Sequence, residues 1–240
     1  SQAAIAFDAV TDGLSSDIVT ASSVSFSHTS TGSNLVLVLG VAMSDSVDAD
    51  RDITSATYNA VAMTAIRRDT NDALGIDTST EMYYLIAPAT GANTLTFNLA
   101  GTVSAGQSDA ITLTGVNQSV ALDAQNGGTQ TNATSVSTIV TTSADNSWVV
   151  DIVATTDTSL TLVVGASQTE RVNTSYGSSG TAGASTEGAQ TPAGAVTMSW
   201  SCTVSFCTTA DDWVISAASF APDGIAVTAS TSGTASSATS

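Results

Sequence analysis

Apolar residues alternate with Ser, Thr or Asp at period two along almost the whole chain, and stripes at the helical period of 3.6 residues are missing. In the first half this alternation predicts strands at Ala3–Val10, Ser22–His28, Leu35–Met43, Glu81–Ala87, Thr94–Leu99 and Ala110–Thr114. In the second half it predicts Ser135–Val140, Trp148–Thr155, Leu160–Val164, Val196–Trp200 and Trp213–Phe220. Turn signals fall between them, among them Thr31-Gly32-Ser33-Asn34, Ala89-Thr90-Gly91-Ala92 and Asn126-Gly127-Gly128, and Tyr58-Asn59-Ala60 reads as the turn of a short hairpin. The run Leu35–Met43 is apolar on both parities. It suits a central strand buried on both faces and is far short of the roughly 20 residues that span a membrane.

The expectation is an all-β chain, an antiparallel β-sandwich of jelly-roll or Ig-like type. Sliding the chain 112 residues against itself brings Ser23-Val24-Ser25, Thr29, Asn34, Val38 and Val41-Ala42 onto Ser135-Val136-Ser137, Thr141, Asn146, Val150 and Val153-Ala154. Further on, Pro88–Ala92 echoes Pro192–Ala195, and Asp109-Ala110-Ile111 echoes Asp212-Trp213-Val214. Two pseudo-repeated halves are implied. Gly115–Thr134 is only weakly linker-like, because Val116, Val120 and Leu122 keep strand parity. One sandwich domain over residues 1–222 is therefore expected, with a single core that includes Val36, Val38, Trp148, Val149, Val150, Trp213 and Phe220, followed by a Ser/Thr-rich tail at 223–240.

Charge narrows the partners. The formal net charge is −17, lysine is absent, and the only cations besides His28 are Arg51, Arg67, Arg68 and Arg171, which form no stripe. Nucleic acid and anionic membrane surfaces need clustered cations, so neither is an expected partner, and no membrane insertion is expected. The chain starts at Ser1, which suits either removal of a leader or trimming of an initiator Met.

Little of the sequence points to catalysis. The lone His28 shares a strand face with Val24 and Phe26 and reads as a residue at a strand end rather than a general base. No catalytic residue is assigned. The acidic loop Asp45, Asp48, Asp50 and Asp52, with Arg51 among them, offers oxygens for Ca²⁺ but lacks the Gly and the bidentate Glu of an EF-hand. Asp69, Asn71, Asp72 and Asp77 form a weaker second group. No cofactor is expected, with calcium the one candidate. Cys202 and Cys207 are spaced for a small disulfide clip in an oxidising compartment. Sequons at Asn117, Asn132 and Asn173 are candidate N-glycosylation sites for a secreted glycoprotein. Trp148, Trp200 and Trp213 stand at core parity, with sugar stacking the functional alternative.

The runs ITSATYNAVAMT (Ile53–Thr64), MYYLIAPATGANTLTF (Met82–Phe97) and DDWVISAASFAP (Asp211–Pro222) resemble a broad family of β-sandwich surface proteins found in secreted prokaryotic proteins and in phage tail and decoration proteins. The resemblance spans roughly residues 3–222 and rests on strand and turn signatures. It implies a sandwich fold and an exterior structural role, and it brings no active-site residue. The termini suggest how such a subunit assembles. Ala3, Ile5 and Phe7 alternate from the start of the chain, and Ile225 and Val227 alternate near its end, so either segment could complete the sheet of a neighbouring copy. The expected function is a non-enzymatic extracellular or cell-surface subunit that self-assembles into a filament by strand addition, with copies of itself as partner. A virion structural protein and a glycan-binding adhesin module are the alternatives.

Overall fold

The structure is a computed structural model that describes residues 4–13, 21–73, 77–158, 161–176, 180–203 and 211–224. The first half contains β1 (Ala6–Asp12), β2 (Ser23–Ser30), β3 (Val36–Asp45), β4 (Ile53–Tyr58), β5 (Val61–Ala62), β6 (Thr64–Asn71), β7 (Asp77–Ile86), β8 (Gly91–Leu99) and β9 (Ala105–Thr114). The second contains β10 (Leu122–Ala133), β11 (Ser135–Thr141), β12 (Ser147–Thr155), β13 (Leu162–Val164), β14 (Thr169–Tyr176), β15 (Gly180–Gln190), β16 (Ala195–Cys202) and β17 (Asp211–Phe220). A 3-10 turn at Asp48–Arg51 is the one helical piece among the described residues.

In the first half the sheet β1-β9-β3-β7-β6 lies against β2-β8-β4-β5. Strands taken alternately from both ends of the sequence interleave in this way in a jelly roll, not in an Ig fold. The second half repeats the order as β10-β17-β12-β15-β14 against β11-β16-β13, without a counterpart of β5 among the described residues. The 112-residue offset holds through β2/β11 and β3/β12: Ser23 pairs with Asn98 where Ser135 pairs with Ser201, and Val38 pairs with Ile111 where Val150 pairs with Ala218. One proposed echo is displaced. The registers match Asp109 with Ser216 rather than Asp212, because the segment between β16 and β17 is longer than its counterpart between β8 and β9.

A shared local device marks the duplication. Asp8 is the extra residue of a bulge in β1, and Asp123 is the extra residue of the same bulge in β10. Asp8 accepts hydrogen bonds from the Thr31 N–H, at 2.8 Å, and from the Thr31 hydroxyl. Asp123 accepts from the Ser143 N–H, at 3.0 Å, and from the Ser143 hydroxyl. Each carboxylate so fixes the turn into β3 or β12. Both turns end in an asparagine with positive φ, Asn34 (51°) and Asn146 (64°).

The two five-stranded sheets pack on each other through β6, β7 and β3 against β10, β17 and β12, which makes four layers. The expected single core is corrected to three apolar clusters, because two inner sheets buried on both faces leave three spaces between sheets. The middle cluster is shared by the halves and contains Val36, Val38, Val150 and Phe220, with Trp148 packed against it. Leu37 and Leu39 point the other way into the first half's own cluster, and Val149 and Trp213 into the second half's. Across the middle, Thr80 and Ser216 hydroxyls lie 2.7 Å apart, Ser216 donates to Asp69 at 2.5 Å, and Arg171 stacks 3.7 Å from the Phe7 ring centroid.

Two further expectations change. Asn126-Gly127-Gly128 is no turn; it lies inside β10, paired with Ala217, Ser216 and Ile215. A side chain at Gly128 would meet the Ser137 carbonyl at 2.6 Å, and one at Gly127 would collide with Asp69 and Arg67 of the facing sheet. Close approach, rather than chain reversal, demands these glycines. The N-terminal segment is not held out for a neighbour. β1 pairs with β9 of its own chain from Ala6 to Asp12, Ile5 is buried in the middle cluster, and Phe7 packs against it. A vacant edge beside β9 is completed most cheaply by the strand already tethered to it. Ala3, Ile225 and Val227 lie outside the described residues.

Candidate functional site

The second half carries a polar group of side chains in the middle of its own apolar cluster. Asp151 of β12, Ser185 of β15, Trp200 of β16 and Gln168, one residue before β14, are all buried. Asp151 Oδ1 accepts from the Ser185 N–H at 2.9 Å and from the Ser185 hydroxyl at 2.7 Å. Its Oδ2 accepts from the Trp200 indole N–H at 2.9 Å and from the Gln168 amide Nε2 at 3.1 Å. Gln168 Nε2 also lies 2.7 Å from Ser185 Oγ, and its carbonyl Oε1 accepts from the backbone N–H of Ser199 at 2.8 Å and of Gly165 at 3.2 Å. Burial outweighs the hydrogen bonds from Ser185 and Trp200 in setting acidity, so the Asp151 carboxyl is pushed up to about 7.

The sister half serves as an internal reference. Register equates Asp151 and Ser185 with the paired Leu39 and Tyr83, and Trp200, opposite Val136, with Phe97, opposite Val24. Gln168 corresponds to Met63, since each directly precedes β14 or β6. All four counterparts belong to the first half's apolar cluster. The fold therefore needs no polar group here. Space for the larger indole comes from Gly183, which stands where the first half has Glu81; a Cβ there would lie 2.7 Å from the Trp200 ring.

Above this group the outer face of β11 and β16 opens into a groove of about 720 Å³, lined by Ser137, Thr197, Ser199, Val163 and Gly165 and reaching Trp200. No tryptophan offers it a stacking face: Trp200 and Trp213 are buried and Trp148 packs on the middle cluster. Asn132, at its rim, is exposed. The other sequons fare differently. Asn117 is buried, with Oδ1 accepting from the N–H groups of Ser119 and Val120. Asn173 donates to the Leu162 carbonyl and to Glu170.

The two acidic groups read as calcium candidates come together around arginines. The buried Arg51 guanidinium lies 3.1 Å from Asp48, 2.9 Å from Asp72 and 3.5 Å from Asp77, and Arg68 lies 2.5 Å from Asp48 and 2.9 Å from Asp52. Asp45 instead accepts from Val47 and Ser104, bonds that outweigh its burial and hold its carboxyl below the usual range. Asp50 sits against Gly101, Asp69 pairs with Arg67, and Asn71 donates to the carbonyls of Gln130 and Trp213. Among the described residues no three His, Cys, Asp or Glu side chains are arranged to hold a metal ion. His28, two residues from the end of β2, is buried, with Nδ1 2.8 Å from Thr11 Oγ1 and Nε2 2.6 Å from Thr112 Oγ1; burial lowers its pKa to about 4. Cys202 is buried with Sγ 3.3 Å from the Thr134 carbonyl oxygen, and Cys207 lies outside the described residues.

The sequence reading missed Asp151, Gln168 and Ser185. A signal for Asp151 existed, since the 112-residue offset sets an acid on Leu39 within an otherwise apolar strand. No family model matches the chain, and no curated protein or solved structure is significantly similar to it. The family resemblance thus rests on its strand and turn signatures alone.

Proposed function

We propose that the chain is a non-enzymatic structural subunit of an exterior assembly, with copies of itself as neighbours. The observation that carries this reading is the fusion of two jelly rolls across a common buried face, which gives a four-layer block without a hinge between its halves. Its outer faces are fields of hydroxyls, such as Ser25 and Thr96, 2.7 Å apart across β2 and β8, suited to standing in water at high negative charge. With β1 committed to its own sheet, strand donation falls to residues 225–240, with Ile225 and Val227 as the apolar pair. The edge of β13, where the first half adds β5, is the acceptor that fits, and a head-to-tail joint of this kind propagates as a filament.

Sedimentation velocity and negative-stain electron microscopy on the full chain and on a chain ending at Gly224 test this. Ordered polymers from the first and folded monomers from the second are expected. A full chain that stays monomeric at every concentration overturns self-assembly. The tandem jelly roll also favours a second reading, a virion coat component, on analogy of fold alone.

A further inference from the structure

The buried polar group of the second half has the parts of an acyl-transfer site whose acyl donor and nucleophile both belong to the chain. Ser185 Oγ is the nucleophile, Asp151 Oδ1 at 2.7 Å is the base that takes its proton, and the Gln168 side-chain amide is the electrophile. The Ser199 N–H at 2.8 Å and the Gly165 N–H at 3.2 Å, the latter shared with the Ser199 carbonyl at 2.9 Å, converge on Gln168 Oε1 and form a hole for the oxygen that gains charge in a tetrahedral intermediate. Asp151 Oδ2, 3.1 Å from Nε2, is placed to return the proton to the leaving nitrogen.

We propose that Ser185 and Gln168 join in an intramolecular ester, formed by the folded chain itself with release of ammonia. Ser185 Oγ attacks Gln168 Cδ as its proton passes to Asp151. The new C–O bond forms, the Cδ–Nε2 bond breaks, and Nε2 leaves as ammonia carrying that proton. Asp151 ends in the charge state in which it began, and no oxidant, metal or further reactant is needed. The terminal torsion of a glutamine is soft, so the amide can turn its face to Oγ. Ammonia has a way out past Gly165 and Ser199 into the groove, where protonation and dilution in bulk water draw the exchange forward. An acid that titrates near neutrality can both accept and give the proton, which is what burial makes of Asp151. The ester would tie the turn before β14 to β15 at the point where the sister half relies on Met63 packing.

The chain supplies its own assay, because it has no lysine and Arg171 is the only tryptic site between residues 168 and 185. Trypsin acting on the unfolded, reduced protein should leave fragments 69–171 and 172–240 joined, at a mass short of their sum by one ammonia, and alkaline hydroxylamine should separate them. Cyclisation at Asn126-Gly127 also releases ammonia but leaves the two fragments apart. Ser185→Ala and Asp151→Asn should each restore the full mass and yield separate fragments. Separate fragments of full mass from the parent chain overturn the proposal whatever the variants do, and joined fragments from Asp151→Asn overturn the role given to Asp151.

Discussion

Gly183 shows how one residue decides what the site can contain. The two halves share a backbone, yet where the first places Glu81 and a phenyl ring the second places Gly183 and an indole, with no room for a Cβ between strand and ring. Gly183→Ala should therefore destabilise the chain by about 1–3 kcal/mol through overpacking. Urea denaturation measures this, and the penalty should shrink in a Trp200→Phe background; an equal penalty in both backgrounds would show that the indole is not its cause. At this scale the site was only partly legible. Asp151 interrupts an apolar strand and is visible once the repeat is aligned, whereas Gln168 sits in the polar stretch Gly165-Ala166-Ser167-Gln168, where nothing marks one side chain as turned inward.

At the scale of elements, strands rich in β-branched residues could be read from the chain, and those defined by their neighbours could not. β3 and β12 carry continuous Val, Leu and Ile and were placed to within about two residues, and the Asn59-Ala60 hairpin turn is present with φ of 49° and 62°. β10 and β15 were missed because Gly, Ala, Thr and Gln dominate them. They are strands because the facing sheet presses close, a tertiary cause that local propensity does not record. The bulge aspartates were invisible for the same reason, although they fix where each sheet begins. Asp8→Ala should lower stability by about 1 kcal/mol through loss of the hydrogen bonds to Thr31. Asp123→Ala should cost more, because Asp123 also accepts from Ser147 at 3.3 Å and Ser219 at 3.2 Å. Thermal unfolding of both variants checks the order, and the double variant should be additive, since the two bulges share no partner.

For the whole molecule, the shared middle cluster and the buried acids set the behaviour. A backbone nick between residues 116 and 121 should leave the halves bound to each other on size exclusion, because separating them would expose Val36, Val150 and Phe220 together. Acidity acts through groups in all layers. Burial raises Glu81 to about 7 and Asp151 to about 7, and raises Asp109 well above the usual carboxylate range. All three hold their proton more tightly folded than unfolded, so each contribution is complete below the unfolded pKa of about 4; those of Glu81 and Asp151 are lost as pH rises through about 7, and that of Asp109 is lost as pH rises above the usual carboxylate range. His28 works the other way: burial lowers it from 6.5 to about 4, so its contribution is lost as pH falls across that range. Three acids outweigh one histidine, and the net charge of −17 adds self-repulsion that also grows with pH. The melting temperature should accordingly be higher at about pH 5 than at about pH 8, and should fall again below about pH 4, where Asp45 takes up a proton. Glu81→Gln isolates one share of this. A glutamine can accept from the Ile53 N–H and donate to the Tyr83 hydroxyl, which itself donates to the Ile53 carbonyl, so the network survives without a titrating group. The variant should match the parent near pH 5 and exceed it at pH 8 by an amount on the order of a few kcal/mol; a parent curve that rises from pH 5 to pH 8, or a variant with the parent's slope, would show that these acids are not buried in the folded chain.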